Sequence, residues 1–314
     1  MKSVSRRGFL KSSLFAAGAL VWASAHQARG AEARAAPLRL GGPTFEKYQD
    51  PEGWVKAVKK LGYSAAYCPV GAEASDDVVK AYARAADEAG IIIAEVGVWN
   101  NPLSSDEKTR QTALEKCRKQ LALADRIGAR CCVNISGSRG EQWDGPSPKN
   151  LTKETFDMIV QTTRAIIDDV KPTRTYFTLE TMPWAYPDAP DSYLALLKAI
   201  DRDRFAVHMD PVNLVCSPQR YYGSGELIRE CFAKLGPYIK SCHAKDILLQ
   251  TKLTTHLDEI RSGLGGLDYA AFLTELSKIP GTPLMLEHLK GADEYKLAAD
   301  HVRSVAQSIG LSFV

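Results

Sequence analysis

Three times between residues 38 and 135, an apolar stripe of helical period ends at a glycine and a β-rich run starts at once. Trp54, Val55, Val58 and Leu61 precede Gly62 and the run 63–70. Val78, Val79, Tyr82, Ala85, Ala86 and Ala89 precede Gly90 and 91–98, and a helical stretch over about 106–127 precedes Gly128 and 129–135. Glycine suits that place because the residue after a helix often takes a positive φ. The alternation then continues. Helical stripes over 156–170, 193–200, 227–235, 267–276 and 295–309 interleave with strand-like runs at 175–182, 205–210, 238–243 and 283–288, and the first run stands at 38–42. Strands alternating with helices imply a parallel sheet, and eight such units favour an α/β fold closed as a single (β/α)8 TIM barrel. No Gly-x-Gly-x-x-Gly follows the first run, which removes one common reason for an open doubly wound sheet.

The barrel is predicted for residues 37–314, because 1–36 read as a targeting segment and a short linker. Ser5-Arg6-Arg7-Gly8-Phe9-Leu10-Lys11 precedes an apolar run from Ser13 to Ala23, and Ala23-Ser24-Ala25 offers a cleavage point. That run is shorter than the ~20 residues of a membrane-spanning helix, so no stable membrane span is expected. The pattern matches a twin-arginine export signal. It makes the twin-arginine translocation machinery a partner and the periplasm the expected destination, and that route carries folded proteins with a cofactor already loaded. Without the first 36 residues, 34 basic and 36 acidic residues remain. Nothing then pulls strongly on a polyanion, and nucleic acid is not an expected partner. The seven cysteines are odd in number and include no CxxC pair, so they read as small hydrophobes rather than a disulfide framework. A homo-oligomer stays open.

Chemistry in such a barrel sits at the carboxyl ends of the strands. The fifth run carries Thr178-Leu179-Glu180-Thr181-Met182, the sixth His208-Met209-Asp210-Pro211, the seventh Ser241-Cys242-His243-Ala244-Lys245-Asp246 and the eighth Met285-Leu286-Glu287-His288. Four consecutive strands each finish with a potential metal ligand, at intervals of 30, 33 and 44 residues. Gathering Glu180, Asp210 and Glu287 with His243 at one apolar barrel mouth buries three carboxylates, which is very costly without a compensating positive charge. One divalent cation answers that need. Three oxygen donors and one imidazole favour Mn²⁺, with Mg²⁺, Co²⁺ and Zn²⁺ as alternatives.

The segments 179–183, 208–213, 242–246 and 286–288, together with Gly97-Val98-Trp99-Asn100-Asn101-Pro102 and 124–129, resemble the xylose isomerase-like TIM-barrel superfamily. The resemblance covers roughly 38–311 and points to the sugar phosphate isomerase/epimerase branch, which includes ketose 3-epimerases and inosose dehydratases. It implies that Glu180, Asp210, His243 and Glu287 hold the metal, that Glu180 and Glu287 are also acid/base partners on opposite faces of the substrate, and that the substrate is a sugar or polyol. Removal of a proton next to a carbonyl gives an enediolate that a cation stabilises. Return of the proton gives isomerisation or epimerisation, and loss of a β-substituent gives dehydration or elimination. A carbohydrate-binding barrel without turnover is the rival of another class. Abasic-site nucleases share the fold, but they need extra histidines that the second and third strand ends do not supply.

Further residues carry expectations of their own. Trp184 offers a stacking face to a sugar, and Asn213 can reach a hydroxyl where several epimerases have a histidine. Lys245 shares parity with His243 and sits in a segment resembling the family's His-x-Lys-Asp. It binds a substrate oxygen or balances carboxylates. His208 shares parity with Asp210, which places it at the site or one tier below as a core histidine. His288 has the opposite parity to Glu287 and is expected to face the helix layer or a loop. Glu141 and Trp143 lie in the long polar stretch 137–150, expected to form a lid or a substrate wall. The glycines of 263–268 lack phosphate-loop spacing and read as a flexible loop.

Overall fold

The computed structural model describes residues 36–314 of the protein; the export-signal reading falls almost wholly on 1–35, outside the described residues. In chain order the first elements are β1 (Arg39–Gly42), α1 (Pro51–Lys60), β2 (Ala65–Tyr67), α2 (Asp76–Ala89), β3 (Ile92–Gly97), α3 (Glu107–Ile127) and β4 (Cys131–Asn134). Next come α4 (Lys153–Val170), β5 (Phe177–Glu180), α5 (Pro190–Ile200), β6 (Phe205–Met209), α6 (Pro218–Tyr222) and α7 (Ser224–Leu235). The chain ends with β7 (Ile239–Ala244), β8 (Asp246–Leu249), β9 (Leu257–Ile260), α8 (Tyr269–Leu276), β10 (Pro283–Leu286) and α9 (Gly291–Ser308). Eight strands close into one barrel in the order β1-β10-β7-β6-β5-β4-β3-β2, each neighbouring pair parallel. The predicted (β/α)8 TIM barrel is the fold.

Several predicted strands are longer than the observed ones: 63–70 contracts to Ala65–Tyr67 and 175–182 to Phe177–Glu180. Apolar burial continues past the last ladder bond, so periodicity overshoots where the chain turns out towards its helix. Helix starts are fixed by side chains. Asp50, Ser75, Asp106, Thr152 and Asp268 each accept the backbone N–H three residues on, satisfying a donor that the helix itself cannot. Gly90 and Gly128 end α2 and α3 at φ 64° and 77°. After α4 and α5 the same left-handed position falls on Lys171 and Asp201, at φ 53° and 48°. Those two helices therefore end without the glycine signal, although a side chain there costs ~1–2 kcal/mol.

Asp125, near the end of α3, ties that helix to the approach of β5. Its Oδ1 accepts the N–H groups of Thr173 (2.7 Å), Arg174 (2.5 Å) and Thr175 (3.2 Å). Burial pushes this carboxyl up, but the three donors outweigh it and hold it below its ordinary value. Its stabilisation is therefore present above the ordinary carboxylate range and is lost as pH falls through the lowered value. Asp125→Asn is expected to flatten the acid limb of Tm against pH while lowering Tm slightly at neutral pH. An unchanged acid limb in thermal melts from pH 7 to 3 counts against this.

Apolar residues fill the layer between strands and helices, from Leu40 and Trp54 to Phe272 and Val302. Inside the barrel the floor is small and tight. A Cβ on Gly41 would lie 2.5 Å from the Met285 sulfur and 2.6 Å from the Ala65 carbonyl, so Met285 fills the space left by Gly41, Ala65 and Ala94. Above that floor the interior turns polar. Glu95 of β3 meets His208 of β6 and His243 of β7, strands that are not its neighbours, so the contacts run across the barrel lumen.

One inserted hairpin departs from the predicted plan. β8 and β9 pair antiparallel between β7 and α8. The glycine-rich stretch behind it is anchored, correcting the flexible-loop expectation. Asp246 accepts N–H groups from Ile247 (2.9 Å), Gly263 (2.9 Å), Gly265 (3.1 Å) and Leu267 (3.0 Å). All seven cysteines lie in the described region and are free. No helix among the described residues is long and apolar enough to cross a membrane.

Candidate active site

Glu180 ends β5, Asp210 follows β6, His243 lies in β7 and Glu287 follows β10. One donor atom from each lies within 4.8 Å of the other three, and all four residues are buried. His243 Nδ1 stands 2.8 Å from Glu180 Oε1, 2.9 Å from Glu287 Oε1 and 3.9 Å from Asp210 Oδ2. Local geometry aims each group. Asp210 Oδ1 accepts the N–H groups of Val212 (2.9 Å) and Asn213 (3.3 Å), made available by the turn at Pro211, which leaves Oδ2 for the site. Thr181 Oγ1 donates to the Asp210 carbonyl at 2.7 Å and locks the two strand ends together.

Lys245, almost fully buried, places its Nζ 2.7 Å from Asp210 Oδ2, 3.1 Å from Glu287 Oε1 and 3.2 Å from Glu259 Oε2. Three ligand carboxylates against one ammonium leave the cluster short of about two positive charges. The site shows this deficit in its proton affinities. Burial drives the Asp210 carboxyl up, to about 7, with Glu180 and Glu287 adding to the rise against the pull of Lys245. Burial opposes charge on His243, yet Glu287, Glu95 and Glu180 together raise it well above its ordinary value. Burial also works against the charged forms of Glu180 and Glu287, but His243 in particular holds both below the usual carboxylate range. Protons are thus drawn in to stand where positive charge is missing.

A divalent cation fits this donor set. One ring N–H cannot serve the three carboxylates facing His243 Nδ1, and Asp210 Oδ2 and Glu287 Oε1 are buried without a hydrogen bond of good geometry. A dication beside Lys245 would bring the three ligand carboxylates to neutrality. Glu95, buried below, supports the arrangement. Its Oε2 lies 3.3 Å from His243 Nε2 and 3.1 Å from His208 Nε2, and Ser241 Oγ donates to Oε1 at 3.2 Å. With the Glu95 carboxylate facing Nε2, Nδ1 is the ring nitrogen turned towards the three carboxylates.

A cavity of about 440 Å³ opens above the cluster, with Glu180, Asn213, Lys245 and Glu287 in its lining. Asn213 donates to the Thr181 carbonyl (3.0 Å) and accepts from Lys245 Nζ (3.1 Å), so it steadies the ammonium as well as facing the cavity. Trp184 stands at the mouth, its Nε1 donating to the Asp144 carbonyl at 2.7 Å. That bond joins the end of β5 to the 137–150 loop, which presents Trp143 and Asp144 to the cavity while Glu141 stays out in solvent. The loop is a tied wall. Ser138 Oγ donates to the Gly145 carbonyl (2.7 Å), and Asn101 Oδ1 accepts from Ser138 N (3.1 Å).

Two expectations change. His208 is fully buried and lies beneath His243, ring centroids 4.1 Å apart, so it does not reach the cavity as a substrate-binding residue. His288 does line the cavity, against the parity argument. β10 ends at Leu286, and His288 takes φ 58°, so strand alternation no longer governs where its ring points. It pairs with Glu259 at 3.0 Å.

Glu95, Tyr67, Trp99 and Glu259 went unread in the sequence as parts of this site. Glu259 arrives on β9, which folds back over the mouth. The signal for Glu95 was present: a lone acid inside the apolar run 91–98 has to find a partner if it is buried.

Residues 55–305 match the xylose isomerase-like TIM barrel family. A comparison with curated proteins finds no match. Solved structures share the fold at low identity. A xylose isomerase-like TIM barrel protein from Mycobacterium smegmatis in complex with magnesium is 17% identical, with a TM-score of 0.59 over 88% of this chain and 97% of that one. D-psicose 3-epimerase with D-tagatose from Clostridium cellulolyticum H10 is 16% identical, with a TM-score of 0.60 over 87% and 98%. A probable 3-DHS dehydratase from Bacillus anthracis is 16% identical, with a TM-score of 0.62 over 83% and 95%. With a family match spanning most of its length and the same closed barrel, the chain belongs to the xylose isomerase-like TIM barrel family.

Proposed function

We propose that the protein is a divalent-metal-dependent sugar isomerase or epimerase that moves a proton on carbon next to a carbonyl. One observation carries the reading: Glu180, Asp210, His243 and Glu287 converge on a point short of about two positive charges, at the base of an open cavity. Neighbouring structures include a magnesium complex and a ketose 3-epimerase bound to a ketose, which supports the same class. Mn²⁺ suits the three carboxylates and one imidazole best among common divalent ions. The twin-arginine pattern at the N-terminus supports a periplasmic site of action.

A bound dication would act as a Lewis acid towards sugar oxygens that gain negative charge. The protein supplies the rest. Glu180 and Glu287 are the two carboxylates of the converging cluster that line the cavity, one to take the carbon-bound proton and one to return it. Lys245 is poised to donate to a substrate oxygen while balancing Asp210, and Asn213 keeps it in place. The packed floor of the barrel closes the site from below, so a proton held on a carboxylate exchanges with solvent only through the mouth.

The test is incubation of Mn²⁺-loaded protein with a panel of keto-sugars in deuterated buffer, read by proton NMR and mass spectrometry. Deuterium at the carbon beside the carbonyl, with an epimer or isomer accumulating, is the expected result. An unsaturated product transfers the site to elimination chemistry. A sugar bound and recovered unlabelled leaves a binding barrel and removes the enzyme reading.

A further inference from the structure

Three large aromatic side chains stand at one cavity mouth, although indole is normally hidden from water. Trp99, Trp143 and Trp184 are 39%, 40% and 40% exposed and all line the carboxylate cavity. Exposed apolar surface gathered in one place marks a contact made with something else. Two of the three also line a second cavity. A solvent-open groove of about 460 Å³ abuts the first through Trp99 and Trp143 and runs along α3, with Lys108, Thr109, Thr112 and Lys116 on its walls.

The groove is polar where a sugar needs donors. The acids closest in sequence are engaged elsewhere, Glu107 with Arg110 and Glu115 with Lys119, which leaves the Lys108 and Lys116 ammonium groups facing solvent beside the groove. Trp99 is placed with strain. Its φ of 50° is rare for a bulky residue and costs ~1–3 kcal/mol. The next residue is pinned, since Asn100 N donates to Asn134 Oδ1 (3.0 Å) and Asn100 Nδ2 to the Ala113 carbonyl (2.9 Å). The indole folds back over Gly97, where any Cβ would lie 2.2 Å from Trp99 Nε1. Backbone strain, a required glycine and a half-buried amide pair hold one indole between the two cavities.

We propose that the substrate is a glycoside of at least two rings, the reacting ring of which carries a ketone. The reacting ring occupies the carboxylate cavity, and the second ring lies in the α3 groove, stacked on Trp99 and Trp143 and hydrogen-bonded by Lys108 and Lys116. The occupant is a sugar because both faces of the divide offer indole planes, which match the apolar C–H face of a pyranose, while the outer walls offer ammonium and hydroxyl groups. This proposal rests on the carboxylate cavity being a sugar site.

The experiment measures affinities of Mn²⁺-loaded protein by calorimetry and tryptophan fluorescence for methyl β-D-glucoside and for cellobiose, maltose and trehalose, each with one ring hydroxyl oxidised to a ketone. At least one disaccharide is expected to bind about tenfold or more tighter than the monosaccharide. Thr112→Trp and, separately, Thr109→Trp fill the groove from the exposed face of α3. Each is expected to remove that advantage and leave methyl glucoside binding unchanged. If every disaccharide binds only as well as methyl glucoside, or if neither groove variant reduces the advantage, the second subsite is overturned while the carboxylate cavity keeps its reading. If no sugar binds at all, both fall together.

Discussion

Glu287→Gln is expected to lower deuterium incorporation into substrate by about 10²–10⁴-fold, the range over which a positioned acid or base acts. The residue stands in two roles at once, as a carboxylate facing the cavity and as one of the groups converging with His243 Nδ1. Metal dependence separates those roles. Adding Mn²⁺ to wild-type protein is expected to raise Tm, because a ligand that binds only the folded state stabilises it by mass action. In Glu287→Gln that rise shrinks. The metal-free variant is expected to melt lower than metal-free wild type, since the ionised Glu287 carboxylate, paired with His243 and Lys245, stabilises the folded state at neutral pH. Paired thermal melts with and without Mn²⁺, beside the exchange assay, check each part. Near-normal exchange in the variant would remove Glu287 from the proposed chemistry.

Glu95→Ala is expected to be the most damaging single change below the site. Its carboxylate faces two imidazoles and a hydroxyl with no solvent access. Breaking a buried, paired charge costs ~3–5 kcal/mol, because the partners stay buried and unmatched. His243 also loses the carboxylate that faces its Nε2, and the loss of such an orienting partner lowers metal affinity by roughly 10–100-fold. Glu95→Gln keeps the shape and one acceptor oxygen, so it is expected to recover much of the folding stability but little of the affinity. Urea denaturation and Mn²⁺ titration of the two variants distinguish the effects. Wild-type affinity in Glu95→Gln would reduce Glu95 to a packing role.

The fold could be read from the sequence because each β/α unit repeats the same physics: a buried strand, a turn, and an amphipathic helix, in most units capped by Asp, Ser or Thr. Glu180, Asp210, His243 and Glu287 could be read for a related reason, since each sits where a strand opens into the cavity and rank order along the chain predicts neighbourhood in the barrel. What the sequence hid were contacts that cross the lumen or arrive from an insertion. Glu95 meets His208 and His243 from strands 113 and 148 positions further on, and no local period records that. Glu259 lies in a four-residue strand whose partner strand is equally short, below the length at which alternation stands out. His288 was misplaced because parity holds only while the backbone stays extended, and a left-handed residue just past β10 resets it.

The Asp246 carboxylate fixes the root of the β8–β9 hairpin. By gathering four backbone N–H groups at the root of the β8–β9 excursion, it works as a clamp that isolates the outer end of the hairpin from the barrel rim. Leu253 at the tip is wholly exposed, and residues 251–256 touch none of the converging carboxylates. The tip is therefore a cassette that can be shortened, lengthened or exchanged while the converging carboxylates keep their positions.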